Sequence, residues 1–272
     1  MMRIARRAAL VAALVTPLAA GAQERTTDRA GAADFNWSGS VAKGAWVKVH
    51  NVNGSVLVEP GTGDRVEISA TKRARRGNPE DVRIELVRGG AGDGDVIVCA
   101  LWSESSTCSE RGASGGRNRD DDDDDRGDVS VEFRVKLPAG VRVFAGTVNG
   151  RVRVEGASAE VEANTVNGSI EAASTSGPVR ARSVNGSIDV RMSQLGTEGL
   201  DYSTVNGSMR VHLPATINAD IELSTVNGSL ESDFPLTLQG RMDQRNLRAR
   251  LGTGGPRLSF RTVNGSVHLL RN

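Results

Sequence analysis

Val161-Glu162-Ala163-Asn164-Thr165-Val166-Asn167-Gly168-Ser169-Ile170-Glu171-Ala172 is the stretch on which the fold turns. Apolar and polar residues alternate on both sides of a Val-Asn-Gly-Ser corner, the period-two pattern of a half-buried strand. The corner recurs. Val-Asn-Gly followed by Ser or Arg stands seven times, with its Val at Val52, Val148, Val166, Val184, Val205, Val226 and Val263. The last six are separated by 18, 18, 21, 21 and 37 residues, and 37 is close to two further units. A short fixed period is the mark of a repeat architecture, which usually presents a surface for binding rather than a pocket for reaction.

Aligned on their Val, the seven units agree outside the corner. Five residues earlier stand Val47, Val143, Val161, Val179, Leu200, Ile221 and Leu258; three earlier stand Val49, Ala145, Ala163, Ala181, Tyr202, Leu223 and Phe260. Beyond the corner, Val56, Val152, Ile170, Ile188, Met209, Leu230 and Val267 form another apolar row. Two residues further on, only Ser232 breaks a similar row. Each unit is therefore strand, corner, strand and a variable turn such as Ser176-Gly177-Pro178. The turn positions are Asn53-Gly54, Asn149-Gly150, Asn167-Gly168, Asn185-Gly186, Asn206-Gly207, Asn227-Gly228 and Asn264-Gly265. Glycine is expected there for a positive φ, which Asn tolerates.

Two all-β topologies fit. One is an antiparallel meander in which each Asn-Gly is a hairpin turn. The other is a β-solenoid of roughly 18–21 residues per coil, its equivalent residues stacked at the strand spacing. We favour the solenoid, because a hairpin has no use for the same Val before and Ser after its turn. In a stack the seven Val side chains are expected to shelter one another. The larger Tyr202 and Leu223 imply a stack that widens toward the C-terminus.

The chain divides into 1–22, 23–40 and 41–272. Residues 1–22 have the form of a signal peptide: Arg3, Arg6 and Arg7, a short apolar run, then Ala20-Gly21-Ala22. Residues 23–40 read as a polar leader, and 41–272 as the repeat domain. No other stretch is apolar for the roughly 18 residues of a membrane span, so the expectation is an exported protein: periplasmic, cell-surface or secreted. Of 34 basic side chains, removing the three signal arginines leaves 31 against 33 acidic. That balance gives no basic face for nucleic acid. Aromatic residues are 3% of the chain, too few to suggest a stacking platform for sugars. Cys99 and Cys108 are the only cysteines and are expected to form a disulfide in an oxidising compartment.

Between the first two corners, 81–87, 95–102 and 129–137 read as further strands. An irregular loop, 103–128, carries the run Asp120 to Asp125 and the tripeptide Arg126-Gly127-Asp128. A bare Asp run reads as solvated loop rather than a calcium site, and the tripeptide inside it as chance. Lys72, Arg73, Arg75 and Arg76 read as a charged edge or turn that blocks strand-to-strand aggregation.

No catalytic motif is present, and neither cofactor nor metal is expected. One outward column could carry chemistry: Arg153, Glu171, Asp189, Arg210 and Glu231, followed by His268. Stacked Glu171 and Asp189 would lie at about strand spacing, close to the ~5 Å that separates the carboxylates of retaining glycosidases. The arginines on either side favour a surface charge ladder instead.

The stretch from Gly254 to Val267, with the earlier Thr-Val-Asn-Gly-Ser turns, resembles a bacterial family of exported β-strand-repeat proteins, a domain of unknown function labelled "putative adhesin". The resemblance runs from about Phe35 to the C-terminus, most securely Val141 to Leu270. It implies a solenoid-like envelope protein without catalytic residues. The functional expectation is a non-enzymatic adhesin-like or scaffolding module, bound to an envelope polymer or protein and able to associate end to end. The alternatives are a polysaccharide lyase or hydrolase on a parallel β-helix, and an envelope-stress sensor that binds peptides or proteins.

Overall fold

The computed structural model describes residues 24–27, 34–89, 94–115, 129–240 and 246–272. The signal-like segment 1–22, the Asp120–Asp125 run and the Arg126–Asp128 tripeptide lie outside them.

The first strands are β1 (Glu24–Thr27), β2 (Asp34–Ser40), β3 (Trp46–His50), β4 (Val56–Pro60), β5 (Arg65–Ala74), β6 (Arg83–Arg88), β7 (Val96–Leu101), β8 (Thr107–Ser109), β9 (Gly112–Ser114) and β10 (Val129–Leu137). The repeats follow as β11 (Arg142–Gly146), β12 (Val152–Ala157), β13 (Val161–Asn164), β14 (Ile170–Ser174), β15 (Val179–Arg182), β16 (Ile188–Met192), β17 (Leu200–Ser203) and β18 (Met209–Leu213). The chain ends with β19 (Ala219–Ser224), β20 (Leu230–Ser232), β21 (Leu236–Leu238), β22 (Asn246–Leu251), β23 (Arg257–Arg261) and β24 (Val267–Arg271).

This is a β-solenoid, not a meander. Each coil lays one strand in a first sheet, turns at Val-Asn-Gly, and lays the next in a second sheet. The corner-to-corner pairings are parallel and in register: Val143 lies beside Val161, Val161 beside Val179, and Val152 beside Ile170. The apolar rows on either side of the corner face inward, with Leu230 only partly covered, and Ala145, Ala163, Ala181, Tyr202 and Phe260 are fully buried between the sheets. Within the core, the Tyr202 ring stacks on Phe260 at 5.3 Å, and its hydroxyl donates to the Val179 carbonyl at 2.6 Å. That bond satisfies a phenol that would otherwise be costly to bury.

The stacking order departs from chain order. The first sheet runs β1-β6-β7-β3-β11-β13-β15-β17-β23-β19-β22-β21 and the second β2-β5-β10-β4-β12-β14-β16-β18-β24-β20. The last coil, β23 and β24, therefore lies between the coil of β17 and β18 and that of β19 and β20. The 37-residue gap holds no hidden coil. β21 and β22 occupy it, extending the first sheet antiparallel beyond β19. Residues 268–272 are thus interior to the stack rather than a cap. The outermost strands at that end are β20 and β21. Ser232 breaks its row because β20 is an edge strand of the second sheet, with no further coil to pack on.

The other end also differs from the expectation. The polar leader supplies two edge strands, β1 on β6 and β2 on β5, and Phe35 of β2 enters the core. β5 spans Arg65–Ala74; β10 pairs with it as far as Ala74, whereas its pairing with β2 stops at Thr71, so Lys72 and Arg73 are paired on the β10 side and Arg75 and Arg76 follow in a bend. Arg73 pairs with Glu132 on β10 at 3.3 Å. Strands 81–87, 95–102 and 129–137 are present as β6, β7 and β10. The loop after β7 begins with a small hairpin, β8 and β9.

Candidate functional site

The corners form a continuous row along the stack, each bridged to the next. In each, the residue before Val turns inward. The hydroxyls of Thr147, Thr165, Ser183 and Thr204 donate to the carbonyls of Gly54, Gly150, Gly168 and Gly186 in the preceding coil, at 3.0–3.1 Å. Each Asn turns outward and donates its side-chain amide to the Asn stacked beside it. The chain of donation runs from Asn227 through Asn264, Asn206, Asn185, Asn167 and Asn149 to Asn53, in six bonds of 2.8–2.9 Å. Aligned amides polarise one another, so such a ladder is firmer than isolated surface bonds.

Glycine is required here for a reason the sequence did not reveal. Only Gly54 and Gly265 among the seven hold positive φ. At Gly150, Gly168, Gly186, Gly207 and Gly228 the demand is steric. A Cβ would fall on the carbonyl oxygen of the neighbouring coil's glycine, well inside the 3.0 Å that real Cβ atoms keep. The Val row differs from expectation too. Val148, Val166, Val184, Val205 and Val263 keep 37–39% of their surface exposed, and Val226 keeps 53%. A side chain at an outside corner touches its two copies but has solvent over the rest, so stacking shelters it only in part. The result is an exposed apolar row beside the amide row.

The outward charge column lies on the second sheet. Arg153, Glu171, Asp189 and Arg210 are consecutive neighbours in register, as expected. The rest of the order changes. His268 follows Arg210, and Glu231 comes last, because the final coil is intercalated. Arg153 pairs with Glu155 at 2.8 Å and reaches Glu171 at 3.7 Å; His268 meets Glu231 at 3.1 Å. His212, one row over and not singled out from the sequence, lies 3.4 Å from Asp189. Burial, then Arg191, lowers its pKa against the pull of Asp189, so at neutral pH this is a contact with uncharged imidazole. Arg153, Glu155, Glu171, Asp189 and Arg191 line an open depression of about 350 Å³. The column is an interleaved surface ladder, whose pairs each contribute a few tenths of a kcal/mol to about 1 kcal/mol at most.

Cys99 and Cys108 are joined, with Cα atoms 5.6 Å apart. The bridge pins the β8–β9 hairpin onto the outer face of the first sheet, where the two cysteines form a small second core with Val87, Ile97 and Leu101. Glu85 is buried beneath. It accepts from the backbone amide of Cys108 at 3.2 Å and pairs with Arg25 of β1. His50 is covered by the same hairpin, packed against Gly112 and 4.8 Å from the Phe144 ring. Burial, then Lys48, lowers its pKa to about 4. Nothing in the sequence signals that 107–114 folds back over His50, since these positions carry no repeat period. Among the described residues, no cluster of His, Cys, Asp and Glu could hold a metal ion. Nor is any helix there long and apolar enough to cross a membrane.

Residues 123–270 match the family described as Toastrack DUF4097. The chain belongs to the Toastrack DUF4097 family. No curated protein matches it in sequence. Two solved structures align with it over most of its length. One is described as a putative cell adhesion protein from Clostridium sporogenes, at 10% identity and a TM-score of 0.49, over 88% of this chain and 100% of that one. The other is described as a putative adhesin from Bacteroides fragilis, at 9% identity and a TM-score of 0.29, over 88% and 97%.

Proposed function

We propose that this Toastrack protein is a non-enzymatic, adhesin-like binding or scaffolding module that acts outside the cytoplasm at the cell envelope. The observation that carries the reading is the seven-fold corner. It presents Val and Asn rows in register along the stack, braced from within at four corners by hydroxyl bonds to the glycine carbonyls. Such a surface repeats the same contact at the strand spacing. It suits a partner that itself repeats, as envelope polymers do, and summed weak contacts then give useful avidity. The Cys99–Cys108 bridge favours an oxidising compartment, as does the signal-like N-terminus.

Glu171 and Asp189 remain the best candidates for an alternative hydrolase or lyase, because they are neighbours in register. Against it, both lie on an open sheet face with basic side chains at hand, rather than in the enclosed cleft that small-ligand sites favour. The deciding experiment is co-sedimentation of the protein with isolated cell envelopes and a panel of insoluble polysaccharides, with released sugar assayed in the supernatant. Binding without release supports the module. Release abolished by Glu171→Gln with Asp189→Asn overturns it in favour of the enzyme. Neither binding nor release moves the reading to a protein or peptide partner.

A further inference from the structure

Every corner carries Asn-Gly, the dipeptide with least steric hindrance to attack by the glycine nitrogen on the preceding side chain. Loss of the Gly amide proton to hydroxide frees that nitrogen to bond with the Asn Cγ. The Nδ2 group leaves as ammonia. Water then opens the five-membered imide at either carbonyl, leaving aspartate or isoaspartate. No oxidant or reductant takes part.

The stack controls which corners can begin this sequence. The N–H groups of Gly54, Gly150, Gly168, Gly186, Gly207 and Gly265 each donate to the Asn carbonyl of the adjoining coil at 2.8–3.0 Å. An N–H held in that way must break its bond before its nitrogen can turn toward Cγ. Gly228 belongs to the outermost corner and has no coil beyond it. Among the described residues its N–H meets no acceptor. Asn227 is held by one ladder bond alone, the one its Nδ2 gives to Asn264. Its corner is also the most open, with Val226 53% exposed where the other exposed corner valines are at 37–39%.

We propose that Asn227-Gly228 is a site of spontaneous amide-to-acid conversion, and that the other six Asn-Gly pairs are protected by the stack. Conversion removes the Nδ2 donor that closes the ladder and puts a carboxylate, half of the time or more on a lengthened backbone, at the end of the amide row. The chemistry therefore ages the molecule from one end.

Each of the seven pairs falls in a different tryptic peptide, so one digest reads all of them. The full chain is incubated folded, in mildly alkaline buffer, and sampled over weeks for the mass gain of acid over amide. The peptide carrying Asn227 is expected to convert about tenfold faster than the other six, the factor one hydrogen bond supplies. In denaturant the rates should converge. Equal rates in the folded chain, or an earlier conversion at another corner, would overturn the proposal. So would a product that is aspartate with no isoaspartate, since that indicates direct hydrolysis without the imide.

Discussion

At the scale of single residues, the glycines of the corners are held to their identity by a neighbour's backbone rather than by their own torsion. Replacing Gly186 with Ala forces a methyl onto the Gly168 carbonyl. The coils must then part, and the expected loss is about 1–3 kcal/mol of unfolding free energy in a denaturant titration. Gly63→Ala is the control. Gly63 has no positive φ and its added Cβ meets nothing closer than 4.0 Å, so the change should be close to neutral. His50 makes a second expectation. Its folded pKa, about 4, lies below the ordinary 6.5. The unfolded chain therefore takes up the proton first as pH falls. Stability is full above about 6.5, declines between 6.5 and 4, and levels off below, losing up to about 3 kcal/mol. His50→Gln should flatten that part of a pH series of unfolding midpoints. An unchanged slope would mean that other groups cause it. The need for glycine was legible in the sequence, but its cause was not. A repeat shows that a residue is required, whereas the clash depends on the distance between coils.

At the scale of elements, period-two alternation around a fixed corner was enough to place strands β11 to β20, β23 and β24, because each such strand has one face in the core. β6, β7 and β10 were legible from the same pattern. β1, β2 and β5 were missed. Their inward positions include Trp37, Gly39 and Lys72 among ordinary apolar residues, which breaks the alternation. The β8–β9 hairpin was missed because three-residue strands carry almost no pattern. It depends on the disulfide and on Glu85 for its place. Cys99→Ser with Cys108→Ser should release it at a cost of about 2–3 kcal/mol, the entropy of a short closed loop. Limited proteolysis should then cut within 103–115 while the corner strands stay protected. Equal resistance with and without the bridge would show that the second core alone holds the hairpin.

At the scale of the whole molecule, the parallel stack followed from the sequence but its order did not. Nothing local distinguishes the last coil from its neighbours. Its inward place is set by partners 37 and 58 residues away, as when Asn264 bonds both Asn227 and Asn206. Deleting residues 255–272 would therefore remove an inner coil rather than trim an end. In a stack built in chain order, such a deletion exposes one fresh surface and the rest survives. Here it should strip Phe260 from Tyr202 and leave β19 to β22 with nothing to rest on. We expect trypsin to digest the shortened chain from about residue 193 onward while the N-terminal coils persist. Protection equal to that of the full chain would mean that β19 and β20 can dock directly on β17 and β18.

The intercalated coil also sets a schedule. As the chain is made or exported, β17 and β18 emerge with their flank open, and β19 and β20 follow before their true neighbour exists. The slot can be filled only by β23 and β24, which follow β19 to β22 in the chain, so this part of the stack stays provisional until they are delivered. A chain cut before β23 keeps an unfinished flank that proteases can recognise. The arrangement thereby works as a check on order, in which a later phrase locks the sentences before it.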